Sequence, residues 1–428
     1  MRSHFKTFVF LTLIFTGFLS FVGWDRHLGS IVTRFVILLL IPFTLTQLPK
    51  LRMTPLLRIG MCLMLFHFPG IITAYAVHDQ GMMDTFIPTF SAFIWLILPL
   101  MYVWRIEEEK LLRMCFVIGA FWALVPLIQQ VTYPFYLFGS RVENEAGHVS
   151  MRNGIVRFSV AGTTWGLLML FYSFQKYFET NRDAYLKWIV IGLVGVYMTC
   201  TRQIMAASVG CLIVGFFALR KKVNPYAMLG IIIVVMIICF NAASLFGGFI
   251  ELTEKDVNNE DYVRILAYRF YGYEYNGDNL LQILLGNGIP RQDYDSVYAE
   301  EMYKLAWSKG YFMVDIGYGG AYFLYGAFFI LSIIAFYCYV YRQRRYIDLY
   351  LKMYVLYMLT TGIMLMHFGG GSSVSSELQT LMVFYLIERS IQANKRKLGV
   401  PSERERILRN SKFWERTGSF IGGAFKKE

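Results

Sequence analysis

Apolar runs of roughly 17 to 25 residues, the length a helix needs to cross a hydrocarbon core, recur along almost the whole chain with only short polar punctuation. In lipid every backbone N–H and C=O must find a partner within the protein, and a helix supplies those partners segment by segment. The pattern therefore predicts an all-α polytopic membrane protein of about twelve transmembrane helices, over roughly 8–24, 31–48, 56–77, 84–104, 111–137, 155–177, 184–200, 203–219, 226–250, 312–340, 352–370 and 374–391. With 56% hydrophobic and 16% charged residues, the composition excludes an ordinary soluble domain. One transmembrane domain over 1–393 and a basic cytoplasmic tail over 394–428 are expected, with one long outer loop at about 251–311 between the ninth and tenth spans. No small-x-small cleavage site follows the first run, which is read as a retained span. All six cysteines, at 62, 115, 200, 211, 239 and 338, fall within or beside spans, so neither a disulfide framework nor a zinc spacing is present.

Charge sets the orientation. With the N-terminus inside, the inner loops and the tail hold most of the 41 Lys and Arg, which satisfies the positive-inside rule and places both termini in the cytoplasm. The outer cations are mainly arginine: 26, 34, 141, 152, 157, 202, 264, 269 and 291, against lysine only at 255, 304 and 309. Arginine grips phosphate with a rigid fork of donors and keeps its proton, so an outward-facing site for a phosphorylated or otherwise anionic ligand is expected. The plainer alternative is that these arginines anchor helix ends and pair with Glu143, Glu145, Asp256, Glu260, Asp261 and Glu274.

The outer loop is too long for a mere connection. Tyr262, Ile265, Leu266 and Arg269 recur at helical spacing and predict a helix along the membrane surface. "GNG" at 286–288 follows no strand and reads as a glycine turn returning the chain to the membrane. Asp315 falls just inside the tenth span, and an intramembrane acid is a functional candidate, a helix cap or a partner of an outer arginine. Asp293 and Asp295 read as a solvated turn, and no metal site is expected. His67 reads as a hydrogen-bonded core residue, and His27 and His78 as incidental to short loops. His148 and His367 are the other outer histidines, and "HFGGGSSVSS" (367–376) reads as a tight outer turn. Gly162 and Gly166 form a small-xxx-small face suited to close helix approach.

Several short elements resemble the bacterial O-antigen polymerases of Wzy type and the related O-antigen ligases. Arg152 followed after nine residues by Gly162 is similar to the R-x9-G element of the polymerases' outer loops. "LLGNGIP" (284–290) resembles the apolar-apolar-Gly-x-Gly turn, and "CTRQIMAASVG" (200–210) the Arg-containing start of a mid-chain span. The spacing from Asp315 to Gly326 resembles the place where ligases carry a catalytic histidine, with Gly326 opening the following helix. A second R-x9-G is absent, since Arg264, Arg269 and Arg291 are followed at the tenth position by Glu274, Asn279 and Glu301.

The resemblance implies a GT-C-like glycosyltransferase of the bacterial inner membrane, working without cofactor or metal on its periplasmic side. Its substrates would be glycans on undecaprenyl diphosphate, its surroundings membrane lipids, its further partner a chain-length regulator, with no nucleic acid involved. Arg152, Arg157, Arg202, Arg264, Arg269 and Arg291 would bind the pyrophosphate, and Asp315, with Glu274 behind it, would be the general base. An O-antigen ligase and a lipid-linked glycan flippase or secondary transporter are the alternatives; an internal two-fold repeat, which would favour a transporter, is not evident.

Overall fold

The computed structural model describes residues 2–19, 21–22, 26–141, 151–152, 155–160, 162, 164–219, 263–291, 296–369 and 374–400. Helices dominate: α1 (Arg2–Leu13), α2 (Arg26–Gln47), α3 (Pro55–Leu65), α4 (Gly70–His78), α5 (Met82–Thr89), α6 (Ile97–Val103), α7 (Glu108–Thr132), α8 (Trp165–Thr180), α9 (Leu186–Met198) and α10 (Arg202–Leu219). After the gap come α11 (Val263–Arg269), α12 (Leu280–Leu285), α13 (Val297–Lys309), α14 (Gly317–Gln343), α15 (Leu349–Thr361) and α16 (Val374–Lys397). Among the described residues, five helical stretches are long and apolar enough to cross a membrane: Pro55–His78, Met82–Val103, Glu108–Thr132, Arg202–Leu219 and Met313–Tyr346. His4–Phe18 and Ile31–Gln47 are shorter apolar helices. Each expected span within the described residues overlaps a helix; the one at 226–250, the tail beyond residue 400, His148, and the first part of the outer loop with Lys255, Asp256, Glu260 and Asp261 lie outside them, as do Asp293 and Asp295.

The helix expected from residue 155 starts instead at Trp165. Before it, β2 (Met151–Arg152) pairs antiparallel with β3 (Ile155–Val156), and β1 (Ser140–Arg141) with β4 (Phe158–Ser159). The register Arg152↔Ile155 leaves two residues between the strands, and their identities, Asn153 and Gly154, are the strongest short signal for a hairpin. Gln130 of α7 holds this hairpin by both ends of its amide, accepting from Val156 N–H at 3.0 Å and donating to Val156 O at 2.6 Å.

The expected glycine face is half realised. Gly166 meets Ala123 of α7, and a Cβ on Gly119 would stand 2.8 Å from the Trp165 carbonyl oxygen, so α7 and α8 approach closely there. Gly162 precedes the helix and lies flat against the Trp122 indole, where a Cβ has no room.

At the centre is α16. Leu378, Leu381, Met382, Val383, Phe384, Leu386 and Ile387 have no exposed surface, and its polar residues Ser375, Glu377, Gln379, Thr380, Glu388 and Ser390 are buried too. Phe384 stacks on Phe336 of α14, with ring centroids 4.3 Å apart. Tyr385 donates to Ile106 O at 2.6 Å. Trp165 of α8 donates to Ser375 Oγ at 3.0 Å, and Thr164 and Gln379 exchange hydrogen bonds.

Two of the long helices are interrupted. Between α3 and α4 the chain turns through residues 66–69. Inside α14, Gly326 takes φ 77° and ψ −176°, a region that only glycine occupies readily. A helix end leaves carbonyls without intrahelical donors, and two of the turn before Gly326 are met from outside: Asn287 N–H donates to Phe323 O at 2.8 Å and Gly288 N–H to Leu324 O at 2.9 Å. The "GNG" turn is thus a docking element for a broken helix, and it lies against Gly70 at the start of α4, within the bundle.

Gly326→Ala is expected to lower thermal stability by at least about 1–3 kcal/mol, since its Cβ would meet the Leu284 carbonyl and its φ is positive. Gly210→Ala, at a helical position with open space around it, should be neutral or stabilising by about 0.5–1 kcal/mol; melting in detergent followed by size-exclusion chromatography reads both.

Candidate functional site

The arginines expected to act together separate into groups. Arg269 forms an exposed ion pair with Glu274 at 2.7 Å, which is the plainer of the two sequence readings. Arg291 pairs with Asp84 of α5 at 2.9 Å, and its backbone N–H donates to Gln80 Oε1. Arg157 is half-buried between β3 and β4 and forms no ion pair with any described residue. The Arg152 backbone pairs in the hairpin, while its side chain lies outside the described residues.

Arg264 itself, and the neighbours of Arg202 and Asp315, reach the end of α15 and the short loop that follows it, residues 362–366. Gln203, next to Arg202 at the start of α10, donates to Thr361 O at 3.1 Å. From α11, Arg264 Nη1 reaches Met364 Sδ at 3.2 Å, and the Tyr268 hydroxyl donates to Ile363 O. From the start of α14, Tyr318 N–H donates to Gly362 O at 2.8 Å, and Gly317, with φ 40°, packs on Gly362 with no room for a Cβ. Asp315 is two residues before that contact, in the 3-10 turn Met313–Ile316. Arg202 and Arg264 are half-buried.

Asp315 is exposed, within the apolar stretch Met313–Tyr346. Neither alternative role is filled, since the N-cap position of α14 belongs to Ile316, without a side-chain cap, and Asp315 has no ion pair among the described residues. An acid without an ion pair among the described residues can accept a proton from a hydroxyl brought to it.

His78 is not incidental. Its Nε2–H donates to Asn287 Oδ1 at 2.9 Å, and its ring stacks on Tyr298 at 4.2 Å. Asn287 is fully buried and uses its whole amide: Oδ1 also accepts from Gln282 at 2.7 Å, and Nδ2 donates to Asn276 Oδ1 at 2.8 Å and Phe323 O at 3.1 Å. Gln80, equally buried, donates to Thr85 and Ile289 O and accepts from Arg291 N–H and Ser296. Beside this network, burial and then the Glu301 carboxylate hold the Tyr271 and Tyr275 phenols above their usual range, and Tyr275 donates to Glu301 Oε2 at 3.2 Å. Apart from Asn276 Nδ2, which has no partner among the described residues, these groups satisfy one another and fix the segment from Asn276 to Glu301 to α4 and α14.

Two further departures concern the core. The start of "HFGGGSSVSS" is buried: His367, Phe368 and Gly369 lie in the core, and His367 Nε2 meets Thr361 Oγ1 at 2.7 Å. Glu377, passed over in the sequence, is 2% exposed on α16; an acid inside an expected span was the signal available for it. Among the described residues no group of three His, Cys, Asp or Glu side chains could hold a metal ion.

No protein-family model matches the sequence, and no curated protein is significantly similar to it.

Asn287→Leu should strip partners from Gln282, His78 and Asn276 at about 1–3 kcal/mol for each unmet group, a loss large enough to abolish a cooperative melt. Arg269→Ala, which breaks only an exposed pair, should change stability by no more than about 1 kcal/mol in the same melting experiment.

Proposed function

We propose that the chain is a glycan polymerase of the membrane, transferring a glycan from an undecaprenyl-diphosphate carrier to a hydroxyl of a second carrier-linked repeat. The observation that supports it best is that Arg264 reaches the 362–366 loop, while Gln203 beside Arg202 and Gly317 and Tyr318 just after Asp315 hold the same turn. Breaking the sugar C1–phosphate bond leaves charge on the diphosphate, which preorganised guanidinium groups stabilise more in the transition state than in the ground state. In this reading Arg202 and Arg264 hold the diphosphate and Asp315 takes the acceptor's proton. Arg157, at the hairpin, is a second cationic residue suited to the incoming carrier; Arg269, Arg291 and Glu274 hold structural pairs. The inner-membrane setting, the cytoplasmic termini, the periplasmic site and a chain-length regulator as partner belong to the same proposal.

A second reading, transport of the lipid-linked glycan, is favoured by the interruptions of Pro55–His78 and of α14, because discontinuous helices frame the sites of many secondary transporters. Deleting the gene in its own bacterium separates the two. Loss of a polymerase leaves surface lipid carrying a single repeat; loss of a transporter strands lipid-linked repeats on the cytoplasmic face; loss of a ligase accumulates finished polymer on its carrier.

In a strain complemented with variants, Arg264→Ala and Arg202→Ala should each slow transfer by about 10- to 100-fold, the equivalent of one lost charge-assisted hydrogen bond. Asp315→Asn should abolish long chains at unchanged protein level. Wild-type chain length in Asp315→Asn removes that residue from the mechanism.

A further inference from the structure

The interruptions of α3–α4 and α14 and the first turn of α16 bring together three sealed side chains: His67, Tyr325 and Glu377, at 2%, 1% and 2% exposure. The His67 ring lies 4.4 Å from that of Tyr325, with the Gly369 backbone against its Nε2. Tyr325 in turn lies within electrostatic reach of Glu377, which has Trp95 beside it. Each of the three has a buried polar atom without a hydrogen-bond partner: His67 Nε2, the Tyr325 hydroxyl and Glu377 Oε2. The Trp95 indole N–H, which faces the Glu377 carboxyl, is a fourth such atom; buried polar groups are almost always paired, and the one donor at Glu377 leaves its second oxygen, His67 Nε2 and the Tyr325 hydroxyl unmet, which points to a ligand.

The chemistry of the orphans specifies it. His67 Nδ1 lies 2.7 Å from Leu63 O, and a carbonyl only accepts, so Nδ1 carries the ring hydrogen and Nε2 of the neutral ring presents a lone pair. An ionised Glu377 presents lone pairs alone. Among the described residues no cation meets it from the packed elements: α3–α4 offers His67, the 3-10 turn Phe90–Leu96 offers Trp95, α14 offers Tyr325, and the preceding loop offers His367, already engaged by Thr361. Residues 370–373 are Gly and Ser, and the cations of α16, from Arg389 on, lie at its other end. An uncompensated carboxylate in such a place costs several kcal/mol, and the orphaned atoms are themselves shut off from the surface. The cation that needs no added room is the proton.

We propose that Glu377 and His67, linked by Tyr325, form a proton-binding site inside the helix bundle. Uptake converts the Glu377 carboxylate and one proton to a neutral carboxylic acid, whose O–H then has an acceptor to find. The site goes beyond glycan transfer and does not depend on it, since proton binding is measured without substrate. Purified full-length protein in detergent is treated with dicyclohexylcarbodiimide, which modifies protonated carboxyls in apolar surroundings, and modified peptides are mapped by mass spectrometry across a pH series. The infrared carbonyl band of a protonated carboxylic acid reads the same group without a reagent. Modification of Glu377 that falls as pH rises, and a midpoint moved by about one unit, tenfold in proton affinity, in His67→Gln or Tyr325→Phe, is the expected result. Glu377→Gln should remove both signals; should that variant not fold, the other two carry the test with Glu377 intact. Absence of both signals at every pH in folded protein overturns the proposal. So does a midpoint that neither variant moves, which would make Glu377 an isolated carboxyl.

Discussion

Two backbone hydrogen bonds, from Asn287 N–H to Phe323 O and from Gly288 N–H to Leu324 O, allow a helix to be broken inside an apolar bundle. Without water, carbonyls freed at Gly326 would each carry a penalty of several kcal/mol, so the break exists only because another piece of backbone is there to cap it. That piece must itself be held, which explains the density of amide side chains around it: Asn287 is gripped by Gln282, His78 and Asn276, and Gln80 clamps Ile289 and Arg291 a few residues on. The glycines on both sides of the joint, Gly286, Gly288 and Gly326, have positive φ and no room for a Cβ, so the capping fixes local sequence as well as geometry.

From this joint the rest of the functional layout follows. Ahead of the break, the start of α14, just after Asp315, brings Tyr318 to Gly362, where α11 adds Arg264 and α10 reaches the end of α15 through Gln203, next to Arg202. At the break itself, Tyr325 turns toward His67 and Glu377. One interrupted helix therefore serves a rim of charged groups at one level and a sealed polar cluster deeper in, with its own backbone as the link between them.

Much of the fold was legible because hydropathy over about twenty residues is a one-dimensional property. What escaped was set by neighbours distant in sequence. The helix expected from residue 155 gave way to strands because Asn153-Gly154 is a turn signal inside an apolar stretch, and apolarity alone does not distinguish strand from helix. Counting cations separated an arginine-rich outer set, but which of them meet depends on packing: Arg269 turned to a carboxylate five residues away and Arg291 to one on α5. His78 looked incidental because its partners, Asn287 and Tyr298, are more than two hundred residues away. Glu377 was hidden by its setting, since no spacing rule reveals which helix will be surrounded by the others.

The enclosure of α16 has a consequence for how such a chain is built. Membrane insertion sorts segments by their affinity for lipid, and a helix carrying two glutamates, two glutamines and several hydroxyls ranks poorly on that scale. It stays out of lipid contact only when the other helices already surround it. Its partners on α7, α8 and α14 are all synthesised earlier, so the helices that precede it must wait as an open cleft, polar on the inside, until the late helix fills the gap. Biogenesis of this protein is then a templated closure, in which a segment unfit for the bilayer is received by protein instead.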